Sequence, residues 1–90
     1  MVGTWKNAQG NNGYGFTLNQ FKELSNVNGC VTARTGLYET QDNLITLRYG
    51  NNERPGFFTG ELANNNNTLR LTNDNRQTIE LVRIRTNCHQ

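Results

Sequence analysis

The chain has 90 residues and a formal net charge of +2, enough for one small domain and too short for two that fold independently. Leu, Ile, Val and Phe supply 20 of the 90 residues, just above the roughly 20% below which a chain rarely buries enough apolar surface to fold, and the small net charge keeps it on the folded side. Asn and Gln supply 21, so the polar surface is mostly uncharged amide rather than the Lys and Glu of a helical protein.

The first expected strand, near residues 2–8, carries Gly3-Thr4-Trp5. The second, near 14–24, places Tyr14, Phe16 and Leu18 on one face and is long enough to bend or to split in two. Further strands are expected near 31–40, 44–50, 57–63, 68–73 and 77–86. Their inward rows are Ile45, Leu47 and Tyr49, then Phe58, Gly60 and Leu62, then Leu69 and Leu71, then Ile79 and Leu81. Between them stand mostly polar neighbours such as Thr46, Arg48, Thr59, Glu61, Arg70 and Glu80, the period of two that marks strands with one wet face. Asn12-Gly13, Asn28-Gly29, Gly50-Asn51-Asn52 and Asn64 to Asn67 supply the turns, because Asn and Gly tolerate left-handed backbone. Pro55 falls in a connection, where its missing N–H costs no ladder bond. Seven or eight short antiparallel strands in one domain spanning 1–90 close most economically as an up-and-down barrel, which leaves no edge exposed. The longest apolar runs, such as Leu44-Ile45 and Phe57-Phe58, are far short of a membrane-spanning helix.

Cys30 and Cys88 lack metal-ligand spacing, and with His89 as the only histidine they make a poor zinc set. A disulfide between them is expected, worth about 4 kcal/mol on a chain-entropy view and a sign of an oxidising compartment; the alternative is two thiols in a reducing one. Met1 directly before an apparent strand fits a mature secreted or periplasmic form whose signal peptide has been replaced by an initiator. Asn66-Asn67-Thr68 matches the glycosylation sequon.

Catalysis is hard to assemble, since a nucleophile needs a base within reach and His89 stands beside the chain end. No metal set, phosphate loop or other cofactor signature is visible. Arg48, Arg70, Arg76, Arg83 and Arg85 crowd the C-terminal half, but acidic residues there and the small net charge disfavour nucleic acid. Cross-strand ion pairs with Glu61 and Glu80 account for them better. Val82 and Ile84, opposite in parity to Ile79 and Leu81, form an outward apolar pair that suits a homo-oligomer contact.

Gly3-x-Trp5 at the start of a β meander and Leu81-x-Arg83 near its end resemble the calycin superfamily of lipocalins, fatty-acid-binding proteins and avidins. That resemblance implies a barrel closed at one end by Trp5 packed beneath Arg83, with a cation–π contact of about 0.5 to 2 kcal/mol. Trp5-Lys6-Asn7-Ala8-Gln9-Gly10 and Thr35-Gly36-Leu37-Tyr38 resemble the first and third strands of avidins in particular, which implies Asn7 and Tyr38 as contacts to a biotin-like ligand. Only Trp5 is present where avidins wall their pocket with several tryptophans, and Asn11 stands where they carry a ligand-binding serine. The expectation is a non-enzymatic binding module that holds a protein partner, as a small secreted inhibitor does, or a small ligand in the barrel mouth. Asn7, Tyr14, Tyr38, Tyr49 and Phe58 are its candidate wall, and an avidin-type or carbohydrate ligand is the alternative.

Overall fold

Alternating apolar residues and amide-rich turns produce eight strands in the computed structural model, which describes residues 1–50 and 52–89. They are β1 (Gly3–Asn7), β2 (Gly13–Phe16), β3 (Gln20–Asn26), β4 (Val31–Gln41), β5 (Leu44–Tyr49), β6 (Gly56–Ala63), β7 (Thr68–Thr72) and β8 (Thr78–Ile84). Each pairs antiparallel with the next and β8 returns to β1, so the sheet is a closed up-and-down barrel. Closure satisfies every strand edge within the chain itself.

The long second strand expected over 14–24 splits. Thr17 donates its N–H to the Gln20 carbonyl at 2.9 Å and its hydroxyl oxygen accepts the Gln20 N–H at 3.1 Å, a turn that satisfies the backbone without a ladder partner. Leu18, expected inward with Tyr14 and Phe16, therefore sits on the turn and is 89% exposed. The amides serve mainly as turn chemistry. Asn64, Asn65 and Asn66 hold φ of 53°, 57° and 66° in the β6–β7 loop, and Asn73 Oδ1 accepts the N–H groups of Asn75 and Gln77 at 2.9 and 3.0 Å. Of the turn expected at Gly50-Asn51-Asn52, Asn51 lies outside the described residues; Asn52 is left-handed, with φ 59°.

Inward side chains fill the barrel, as eight strands enclose barely more than their own interior. Trp5, Phe16, Phe21, Ile45, Leu47, Leu69, Leu71 and Leu81 form the buried core. At one end Trp5 is fully buried, and the Arg83 guanidinium stacks 4.3 Å from its ring centre. Arg83 also donates to the Val2 carbonyl at 2.7 Å and the Asn66 carbonyl at 3.2 Å, and Trp5 Nε1 donates to the Met1 carbonyl at 2.9 Å. Gly3 makes room for this plug. Its φ is 141°, and a Cβ there would stand 2.6 Å from Arg83 Nη1.

A second, smaller core lies outside the barrel wall. Cys30 and Cys88 are bridged, with Cα atoms 5.1 Å apart, and this draws the C-terminal segment across β1 and β2. Leu24, Val27 and Cys88 are buried together there, with Ile84 packed on them. Thr4, on the outer face of β1, is fully buried; its hydroxyl oxygen accepts the Cys88 N–H at 2.9 Å and lies 2.9 Å from His89 Nδ1. Gly15 permits the crossing, since a Cβ would meet His89 Cα at 2.8 Å. The outward pair Val82 and Ile84 is accordingly not the free patch expected of an oligomer contact: parity points Ile84 outward, but the tethered segment covers it. The prediction at this wall is that Gly15→Leu, too large for the crossing, lifts the segment and lowers the unfolding midpoint in urea.

Candidate ligand site at the barrel mouth

The loops following β1, β3, β5 and β7 surround the end opposite Trp5 and Arg83 and enclose a cavity of about 370 Å³. Asn7, Tyr14, Tyr49 and Phe58 line it, with Ile79 and Leu81 below and Glu23 and Arg34 at one side. Tyr38 does not join them. Gly36 stands level with Tyr49, so Tyr38 is one inward step nearer the plugged end, where its hydroxyl donates to the Thr17 carbonyl. The pairing of Asn7 with Tyr38 on one ligand, implied by the avidin resemblance, is thus geometrically absent. Asn7 Oδ1 already accepts the Gln9 N–H at 2.8 Å.

Glu23 and Arg34 are the residues that inspection of the sequence missed. Both are signalled by parity, since Glu23 is two residues from buried Phe21 and Arg34 two from Gly36. They stand opposite each other across β3 and β4, just before register shifts at Leu24. Arg34 Nε and Nη2 donate to the Glu23 carboxylate at 3.1 to 3.2 Å, and Nη1 donates to Glu53 at 2.6 Å. Its guanidinium lies 4.3 Å from the centre of the Tyr49 ring, and the Tyr49 hydroxyl donates to Glu23 Oε2 at 3.3 Å. The forked pair and the stacking hold one wall of the mouth in place.

Tyr14 stands beside Glu23 in the β2–β3 register, with its ring stacked on Phe16 at 5.8 Å. Its hydroxyl has no hydrogen-bond partner among the described residues. Burial first, then the neighbouring Glu23 charge and Tyr49, push its pKa up to about 12 against the opposing pull of Arg34. Burial also raises Tyr49, reinforced by Glu23, and raises Tyr38. Tyr14 is thus a fixed neutral donor at any physiological pH.

A pH dependence follows. The Tyr14 phenol ionises near pH 10 in the unfolded chain and near 12 in the barrel, so between these values the unfolded chain holds fewer protons. The associated stability, on the order of 2 to 3 kcal/mol, is complete below pH 10 and is lost as pH rises through 12. Absorbance titration of the folded protein should show one tyrosine ionising only near pH 12, a step that Tyr14→Phe removes, and the same substitution should shallow the alkaline fall in unfolding midpoint.

Several arginines of the C-terminal half are committed within the chain. Arg48 pairs with Glu39 at 2.7 Å and Arg70 with Glu80 at 3.3 Å, all half-exposed, and Arg83 is committed to the plug. No family model, curated protein or solved structure matches the chain.

Proposed function

We propose that the protein is a non-catalytic binding module that takes a small neutral ring molecule in the barrel mouth. The observation that carries this is the Tyr14 hydroxyl: a protonated donor with no protein partner among the described residues, lining the cavity beside the rigid Glu23 carboxylate. Exchanging water for a ligand acceptor at this hydroxyl contributes about 0.5 to 1.5 kcal/mol. Glu23 and Glu53 outnumber Arg34, so the ionic wall has an excess negative charge and disfavours anions. A carbonyl beside an N–H fits, the carbonyl accepting from Tyr14 and the N–H donating to Glu23, with the ring resting on Phe58, Ile79 and Leu81. Cyclic ureas and lactams have this chemistry, and the ureido ring of an avidin-type ligand is one member. Binding would then use Tyr14 and Glu23 in place of the Asn7 and Tyr38 implied by the avidin resemblance. The Cys30–Cys88 bridge is compatible with an oxidising compartment, and we place the module in a secreted or periplasmic setting.

Saturation-transfer NMR with 2-imidazolidinone, cyclopentanone and cyclopentanecarboxylate tests the reading. Signal is expected for the cyclic urea, less for the ketone and none for the carboxylate. Tyr14→Phe should weaken the urea roughly three- to tenfold, the loss of one hydrogen bond of about 0.5 to 1.5 kcal/mol. Equal binding of all three molecules would refute it.

A second reading, a protein partner as for a secreted inhibitor, rests on the outer wall. Leu37, Leu44 and Phe57, on β4 to β6, are each about half-exposed around buried Thr46. On that reading Phe57→Asp abolishes complex formation while leaving the mouth intact.

A further inference from the structure

The plugged end holds a second cavity, of about 620 Å³, within the size range of small-molecule sites. Its floor is apolar. Ile45 and Leu69 are buried beneath it, and Met1 lies beside it where its carbonyl accepts from Trp5. The apolar surface continues onto the rim through Leu18, 89% exposed on the β2–β3 turn, and Leu62, 43% exposed near the end of β6. Exposed apolar side chains contiguous with an apolar concavity mark a place where an apolar group is taken out of water.

The charge of the cavity lining is opposite to that of the whole chain. Glu39, Asp42 and Glu61 line it against the Met1 α-ammonium, with no Lys, Arg or His side chain in the lining, on a protein whose net charge is +2. Glu39 is paired with Arg48 on the outer wall at 2.7 Å. Glu61 stands across from Arg70, whose guanidinium is bonded to Glu80 at 3.3 Å. Asp42, at the β4–β5 turn, makes no ion pair among the described residues.

We propose that this cavity is a second binding site, independent of the mouth, for an unbranched alkylammonium ion. The alkyl chain covers Ile45, Leu69 and the rim leucines, and the ammonium remains at the rim beside Asp42 and Glu61. A carboxylate of the same length is repelled there, and an alcohol gains only the apolar contact. A lysine side chain carries the same ammonium, but its far end is a polar backbone that would have to rest on the apolar floor. The occupant is therefore a free amine.

The test is a 15N–1H titration of the full chain at low salt with hexylammonium, hexanol, hexanoate and Nα-acetyl-lysine methylamide. Hexylammonium should shift the amides of Asp42, Asn43, Gly60 and Leu62 and bind about fivefold more tightly than hexanol, a margin that added salt removes. Asp42→Asn combined with Glu61→Gln should erase that margin without altering hexanol binding. Asn tolerates the left-handed backbone at position 42, where φ is 55°, and the hexanol titration reports that the cavity is still formed. Equal affinity for hexanol and hexylammonium, shifts confined to the Tyr14 and Tyr49 mouth, or tighter binding of the lysine amide would each overturn the proposal.

Discussion

Replacing Trp5 by alanine is expected to destabilise the barrel by about 3 to 5 kcal/mol, the usual cost of deleting a fully buried aromatic side chain. Trp5 has no exposed surface and belongs to the main core. Its removal also frees the Met1 carbonyl and takes the ring from under Arg83. At roughly 0.05 to 0.15 kcal/mol per residue, a chain of this length keeps little margin after such a loss. Arg83→Ala should cost less, because the guanidinium lies partly in water, yet more than Arg85→Ala, since Arg85 is exposed and the hydrogen bonds of the plug come from Arg83. A double-mutant cycle between Trp5 and Arg83 should give a coupling of about 0.5 to 1 kcal/mol. The cycle with Arg85 should give none, and coupling to Arg85 alone would contradict the geometry of the plug.

Removing the Cys30–Cys88 bridge is expected to cost about 4 kcal/mol, because the bridge closes a long loop with a sequence separation of 58. The loss is local as well as global. The bridge ties the C-terminal segment to the outer wall, where Cys88 is 3% exposed and its N–H is bonded to buried Thr4. Without it Leu24, Val27 and Ile84 lose their cover. Reduction should lower the urea midpoint and, before global unfolding, speed hydrogen exchange at the Cys88 amide far more than at core amides such as Leu47. An unfolding free energy that falls by less than about 1 kcal/mol, with the Cys88 amide still protected, would show that packing alone holds the segment.

The closed antiparallel barrel was legible in the sequence because a period of two is local and survives without knowledge of partners. Ile45, Leu47, Leu69, Leu71 and Leu81 all lie inside as their alternation requires. Leu18 was not legible, since the same alternation runs through a turn whose backbone bonds are made by Thr17 and Gln20. The outer core was hidden for a different reason. Ile84 read as an outward residue by parity, Thr4 lies on the outer face of β1 and Val27 just beyond β3, and only the path of the tethered C-terminal segment buries them. The ionic wall of the mouth was within reach, because Glu23 and Arg34 share parity with Phe21 and Gly36. Their pairing, however, depends on the β3–β4 register, which shifts at Leu24. Tyr38 shows the same limit: parity places it inside the barrel but does not say at which end.

The measurement that tests the central claim most directly is amide chemical-shift mapping of the whole chain with 2-imidazolidinone, on the native protein and on Tyr14→Phe. Ligand occupancy of the mouth predicts shifts at Gly13, Tyr14, Glu23, Arg34 and Tyr49, saturable and weakened by the substitution, with the outer wall unmoved. Shifts centred on Leu37, Leu44 and Phe57, or identical titrations for the two proteins, would contradict it.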